Sequence, residues 1–431
     1  MKLLPILLLG ISLPLMVCGQ LQDPSFEQGN VHWQFTCPDD GFFTGTTAPG
    51  GGTYCAQVTA VSSTQPDCYY QSGTLPFVYQ ELTGAQNGDL ISITFWHRGT
   101  PTPPTLMGSL GLLVVFGWWD PPLVAYQNSS CAFNWYGTYE TWEPITISCT
   151  LSDLPPGATA AIFLGGQATN HGNGMVQFDL ASVTVTSPSV TLAADAFLDG
   201  PYDTDTGLMS NELRTAGQIP LSEPYSALYG GTGGETVIPA VLSVAGANAI
   251  VDWVRLELRT GTASNTTVAV RHALIQRDGD IVDTDGISPV VFDVPPGSYR
   301  VVLRHRNHLG VMTASPVTLS STPSSIDFTN PVTATHGTNA QRNISGTMVL
   351  WPGDANFDGT AIYTGTGNDR DLILTAIGGT TPTNTVTNTY SPFDINMDGT
   401  IRYTGTNNDR DIILQTIGGV VPTATRIEQL P

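Results

Sequence analysis

Two stretches forty residues apart place oxygen-bearing side chains at spacings that suit a divalent cation. The first runs Asp354-Ala355-Asn356-Phe357-Asp358-Gly359-Thr360, and the second runs Asp394-Ile395-Asn396-Met397-Asp398-Gly399-Thr400. Each is followed by a Tyr-Thr-Gly-Thr insert and then by a short apolar run that opens on two acids: Asp369 and Asp371, or Asp409 and Asp411. Ca²⁺ takes about six to eight hard oxygen ligands, and glycine at loop position six permits the turn that wraps them round the ion. Thr360 and Thr400, at position seven, offer a backbone carbonyl. The closing acid falls at position sixteen (Asp369) or eighteen (Asp371), later than in the usual calcium loop. Spacing leaves that choice open in both copies. A single such loop is equally well a turn, but eight of the nine acids from Trp351 onward sit at matching repeat positions. Scattered surface acids do not fall in register.

The elements that must position these loops are short. One helical turn per repeat buries too little to fold unaided, so the copies must stack on one another, with metal supplying much of the folding free energy. Upstream, the chain alternates apolar and polar residues with period two, is rich in glycine and proline, and lacks long helical periodicity. The fold class expected is mainly all-β: residues 20–187 and 188–349 as two β-sandwich domains, and 350–431 as a small α domain carrying two calcium loops. Within the first domain, Val78-Tyr79-Gln80-Glu81-Leu82, Leu90 to Trp96 and Met175 to Val185 read as strands. Within the second, Ala249 to Arg259 and Val268 to Arg277 alternate, and Val294-Pro295-Pro296-Gly297 turns into Ser298 to Arg306. The basic run Arg304-His305-Arg306-Asn307-His308 is expected to pair with turn acids among Asp199, Asp203, Asp205, Asp278, Asp280, Asp283 and Asp285.

Composition narrows the function. Thirty-six acids against fifteen basic residues give a formal charge of −21, and lysine occurs only at position 2. Such a surface repels nucleic acid and attracts divalent counter-ions. Residues 1–19 read as a secretory signal peptide, and no later run is apolar and long enough for a transmembrane helix. The expected location is therefore secreted, extracellular and associated with the cell surface. The remaining cysteines, Cys37, Cys55, Cys68, Cys131 and Cys149, suit two disulfides of undetermined pairing with one thiol left over. Asn128, Asn265 and Asn343 open N-glycan sequons.

Six of eight tryptophans lie before residue 150. Trp33 and Trp96 read as core. Trp118, Trp119, Trp135 and Trp142 are candidates for stacking on sugar rings, because neighbours on a strand face opposite ways and a two-layer fold buries only one face.

The duplicated loop-plus-helix resembles the dockerin fold, in which two calcium motifs pack as a pair. It is also similar to the dockerin-like tails of secreted, hemagglutinin-like Bacteroidetes surface proteins. The run from Pro295 to Gly310 resembles the immunoglobulin- or prealbumin-like domain preceding that tail in the same proteins. The N-terminal strands resemble the galactose-binding-like jelly roll of carbohydrate-binding modules, closing on Phe178-Asp179-Leu180-Ala181-Ser182-Val183. That resemblance implies a second candidate calcium site at Asp23, Glu27 and Asp179.

No HExxH, GxSxG, P-loop or GxGxxG is present, and no Cys/His cluster has zinc spacing. The expected function is a secreted, non-enzymatic, Ca²⁺-binding structural or adhesive surface protein. Its expected partners are copies of itself in fibres or other surface proteins, with Gln20 to Glu27 or Arg426 to Pro431 as strand donors. The alternatives are a glycan-binding module protein and a dockerin-type subunit recruited by a cohesin-like scaffold.

Overall fold

A computed structural model describes residues 21–28, 31–36, 41–45, 47–60, 77–102, 110–118, 129–136, 140–168, 173–229 and 233–431. The signal-peptide segment, Cys37, Cys68, Trp119 and Asn128 lie outside the described residues. The chain divides into two compact units, Met1–Pro188 and Ser189–Pro431. The fold is mainly β, and among the described residues no helix is long and apolar enough to cross a membrane.

The N-terminal unit is a jelly-roll sandwich of ten strands: β1 (Gln34–Phe35), β2 (Gly41–Thr44), β3 (Cys55–Ala60), β4 (Phe77–Leu82), β5 (Leu90–Thr102), β6 (Leu110–Trp118), β7 (Ser129–Tyr136), β8 (Glu143–Thr150), β9 (Ala160–Ala168) and β10 (Asn173–Thr186). They form two antiparallel sheets, ordered β1-β4-β9-β6-β7 and β2-β3-β10-β5-β8. Period two sends Val78, Ile93, Phe95, Val114, Ile162, Val176 and Phe178 into one core. Trp33 joins that core, its indole N–H donating to the Asp23 carbonyl at 2.9 Å. Trp96 does not. It has the opposite parity to Phe95 and stands half-buried on the outer face of its sheet. The first sheet is buried on its other side as well, where Phe77, Tyr79, Leu113, Val115 and Phe163 make a second apolar cluster. Cys131 and Cys149 are disulfide-bonded, tying edge strand β7 of one sheet to edge strand β8 of the other. Cross-linking over a separation of 18 residues removes roughly 3 kcal/mol of unfolded-chain entropy. Cys55 is buried.

The C-terminal unit is built on one nine-stranded sheet whose central strand, Ile250–Arg259, is buried at every position except Arg255. Thr267–Gln276 and Gly297–His305 flank it. Residues 350–431 pack onto this sheet within the same compact unit. They carry a core of their own, made of Ala355, Ile373, Ile377, Ile395, Ile401 and Ile413 from both repeats. The repeats also exchange strands. Thr360–Ile362 of the first pairs with Thr425–Ile427 beyond the second helix, and Thr400–Arg402 of the second pairs with Thr385–Thr387 beyond the first.

Two expectations change. The tail Arg426–Pro431 is engaged within its own chain: Ile427 pairs with Thr360, the Glu428 carboxylate accepts from Arg304 at 3.0 Å, and the Pro431 carbonyl accepts from Arg259. One edge of the strand Thr425–Ile427 is therefore already used within the chain. The basic run also takes other partners. Arg304 binds Glu257 and Glu428, while His305 and Arg306 bind Asp252. Among the turn acids, Asp203 is satisfied by the Asp205 amide and Thr206 and Asp285 by Ser288, while Asp199 pairs with Arg342 and Asp283 with Arg271.

Asp195 lies directly opposite Asp280 on one side and Asp327 on the other, three carboxylates in a row across three strands. Like charges at facing positions oppose pairing. Burial, with Asp280 and Asp327 alongside, pushes Asp195 up to about 7. A carboxyl raised by folding holds its proton in the native state alone, so its contribution to stability falls as pH climbs from about 4 to about 7. Asp195→Asn should therefore raise the melting temperature at about pH 8 and leave it unchanged near pH 4, as calorimetry would show. A gain of equal size at both values would refute the assignment.

Candidate functional sites: two aspartate loops and an outer-face row

The two loops have the same internal wiring. In the first, fully buried Asp369 accepts the Ala355 amide on Oδ1 and the Ile362 amide on Oδ2, both at 2.8 Å. In the second, Asp409 accepts the Ile395 amide at 2.6 Å and the Arg402 amide at 2.7 Å. Each acid thus closes its loop from the start of its helix. Asp371 and Asp411 do something else. Asn368 and Asn408 cap the helices by accepting the Asp371 and Asp411 amides. The two carboxylates in turn accept from the capping amides and from Arg370 or Arg410, facing away from the loops. Arg370 and Arg410 lie over the rings of Tyr363 and Tyr403 from the inserts.

At loop position one, Asp354 and Asp394 are buried, each taking the amide of Gly359 or Gly399 on Oδ2. Asp354 Oδ1 is buried with no partner. Burial, with Asp369 alongside, pushes Asp354 up to about 7. Burial raises Asp369 to about 7 and, with Asp394 nearby, Asp409 to about 8. Asp394, relieved in part by Arg306, reaches about 6. Asn356 and Asp358 close the first rim, with the Asp358 amide on Asn356 Oδ1 and the Thr360 amide on Asp358 Oδ1. Asn396, Asp398 and Thr400 repeat this. The loops differ in one charge, since Arg402 bridges Asp398 at 2.5 Å and the first loop has isoleucine at that place. A pair of inward carboxylates with an orphaned buried oxygen is a donor set that fits a hard dication. Asp354, Asp358 and Asp369, or Asp394, Asp398 and Asp409, would hold it.

The second candidate cation site gathers at one corner of the N-terminal unit. The Asp23 carboxylate accepts the Glu27 and Gln28 amides, and Glu27 accepts the Thr53 and Tyr54 amides. Asp179, fully buried, accepts the Ala48 and Leu180 amides. Burial raises Asp179, and the Glu27 charge adds to the effect. Side chains on Gly51 or Gly52 would collide with Asp179 or Glu27. Asp23, Phe26 and Leu180 all hold positive φ here, so local strain concentrates at this corner.

Among the described residues, the tryptophan candidates Trp118, Trp135 and Trp142 are not brought together. Trp118 ends β6 in one sheet, Trp142 precedes β8 of the other, and Trp135 lies on β7. Trp142 instead heads a row that the sequence did not suggest. Phe42 pairs with Gln57, Gln57 with Gln177, and Gln177 with Arg98, across β2, β3, β10 and β5. All have the outward parity. Gln177 donates to Gln57 at 2.9 Å, Arg98 donates to Gln177 at 2.5 Å, and the guanidinium sits 5.1 Å from the Trp142 ring centroid. The Trp142 indole N–H is buried without a partner, and Phe42 at the other end is 50% exposed. Gln57 and Gln177 are themselves buried, so the aromatic ends and the Arg98 guanidinium are the parts of the row left to meet a sugar ring.

One further group lies in the C-terminal unit, where His272 Nδ1 is 2.9 Å from Glu235 and 3.6 Å from Glu223. Glu223 also accepts the Tyr225 and Ser226 amides and the Ser226 hydroxyl. The His272 contacts join Glu223 and Glu235 to the strand Thr267–Gln276.

No family model matches this chain, and no curated protein matches it. Part of the chain is similar to solved carbohydrate-binding jelly-roll modules. A family 16 carbohydrate-binding module is 12% identical, over 38% of this chain and 98% of that one, with a TM-score of 0.25. A CBM4 module is 15% identical over 37% and 99%, with a TM-score of 0.25. The C-terminal family 22 carbohydrate-binding module of Clostridium thermocellum Xyn10B is 11% identical over 39% and 94%, with a TM-score of 0.24.

Proposed function

We propose that this chain is a secreted, non-enzymatic, Ca²⁺-binding surface protein with a structural or adhesive role, joined to copies of itself or to other surface proteins. The observation that carries the cation reading is the pairing of a fully buried Asp369 with a buried Asp354 whose Oδ1 has no partner, in a loop repeated forty residues on. Buried carboxylates of one sign are neutralised either by taking up protons or by a compensating cation, and the loop spacing favours the cation. Calorimetric titration of the full chain should find two Ca²⁺ per chain at the loops, with dissociation constants of about 10⁻⁴ to 10⁻³ M, the range of extracellular sites. Failure to take up alkaline-earth ions at millimolar concentration would refute this reading. Electron microscopy with calcium and with chelator tests the self-assembly: calcium-dependent fibres support it, and particles of single-chain size in both conditions count against it.

A second reading is favoured by the outer-face row. Phe42, Arg98 and Trp142 would bind a glycan across the β2-β3-β10-β5-β8 sheet, the aromatic ends stacking and Arg98 hydrogen-bonding. Trp142→Ala should weaken glycan-array binding by about tenfold or more, the loss of roughly 1.4 kcal/mol, while Trp118→Ala leaves it unchanged. The reverse pattern would place sugar elsewhere.

A further inference from the structure

The strands Gly297–His305 and His308–Met312 are joined by a turn whose apex, Asn307, is fully buried. Its carbonyl accepts the Gly353 amide at 2.8 Å, one residue before Asp354. Its side-chain N–H donates to the Asp394 carbonyl at 2.8 Å. One residue of this turn therefore holds the second loop at position one and the first loop at the residue before it. The grip is itself braced. Asn307 Oδ1 lies 2.7 Å from His308 Nδ1, and the two histidine Nδ1 atoms lie 2.9 Å apart. With His305 Nε2 donating to Asp252, His308 Nδ1 carries the proton shared toward Asn307 and His305. The neighbouring residue Arg306 bonds the Ser391 carbonyl and lies 4.4 Å from the Tyr390 ring centroid. The second loop is pinned again from inside, since Met397 at its position four belongs to the core of the β-sheet.

Gly353 has φ +108, and a Cβ there would lie 3.3 Å from the Ile413 side chain on the helix of the second repeat. A shift of loop one is thus felt by the second repeat along two routes, Asn307 and Ile413. We propose that Asn307 is a positioning residue that couples the two cation sites, so that filling one loop orders the first ligand of the other. The inference rests on the cation reading of the loops. Coupling between binding sites typically changes affinity by about five- to 150-fold, and the lower end suits a link through one residue.

The test is calcium titration of the full chain by calorimetry, comparing wild type with Asn307→Ala, Asn307→Asp and Leu303→Ala. Leu303 is buried in the same sheet and touches neither loop through a hydrogen bond, so its variant reports general destabilisation. The expected result is cooperative uptake of two ions by wild type and Leu303→Ala. Asn307→Asp, which keeps the shape and removes the donor to Asp394, should take up ions independently, with the weaker site about fivefold weaker or more. If Asn307→Ala fails to fold by circular dichroism, the aspartate variant alone decides. Two independent sites in wild type, or cooperativity retained in Asn307→Asp, would overturn the coupling and leave the cation reading standing. No uptake by wild type would remove both.

Discussion

Arg306→Leu should destabilise the C-terminal unit by about 3–5 kcal/mol, as expected when one partner of a buried ion pair is removed. Arg306 and Asp252 are both buried, with Nε 2.8 Å from Oδ2. Asp252 also accepts from His305 at 3.1 Å, the Tyr390 hydroxyl at 2.6 Å and the Trp253 amide at 2.8 Å. Burial alone would raise this carboxyl, but Arg306, with His305 and Tyr390, outweighs it and holds it at about 2. In wild type the pair contributes stability above the ordinary aspartate range, and that contribution is lost as pH falls from about 4 toward 2. The variant should behave in the opposite sense. Without Arg306 the carboxyl rises, protonates on mild acidification, and the deficit measured by urea unfolding should be smaller at about pH 5 than at pH 8. Asp252→Asn with Arg306→Leu should cost less than the two single changes together. A loss below about 1 kcal/mol for Arg306→Leu alone would mean that the pair is not a keystone between the sheet and the repeats.

That keystone was not legible in the chain. The basic run was visible, and the nearest acids in loops were the obvious partners, yet Asp203 and Asp285 are consumed by their own turns, and Asp199 and Asp283 pair with Arg342 and Arg271. Asp252 lies 54 residues from Arg306, on the central strand, where period two alone gives no reason to expect a charge. The outer-face row was hidden for the same reason. Gln57 and Gln177 are 120 residues apart and meet only through the β3–β10 pairing. Tryptophan is conspicuous in a sequence and glutamine is not, so the aromatic candidates drew attention away from the amides between them.

The loops were far easier to read, because their ligands are local and repeated. The β-class was also plain, since alternation and turn residues are short-range signals. The choice between Asp369 and Asp371 was open by spacing but had a signature in Asn368-Asp369-Arg370-Asp371. Read as a helix start, asparagine is the cap and Asp371 is the third helical residue, whose amide the cap accepts. That geometry turns Asp371 outward and leaves Asp369 facing the loop. The attachment of the repeats to the sheet had no such marker. Met397 reads as a loop residue, although it fills a core shared with strands running from Val190 to Leu350.

Asp354→Asn should have two opposite effects, and their combination separates a cation ligand from an ordinary buried acid. Without calcium the variant should be more stable than wild type. The amide keeps an oxygen for the Gly359 N–H, now 3.1 Å from Oδ2, and removes a charge crowded by Asp369, Asp358 and Glu428. The amide leaves a buried N–H group in place of Oδ1, so the gain, about 1–3 kcal/mol, comes from removing that crowded charge. With calcium near 10 mM the order should narrow or reverse. Mass action at a site of about 10⁻⁴ to 10⁻³ M then gives wild type roughly 1.4–2.7 kcal/mol from that loop, and the variant loses it. In a unit of this size each kcal/mol moves the melting temperature by about 2–4 °C, so both effects are within reach of scanning calorimetry. Asp394→Asn should gain less in chelator, because both Asp394 oxygens already accept amide protons and Arg306 lies nearby. A variant at Asp354 that keeps the full calcium increment would show that the ion, if bound at all, sits outside this loop.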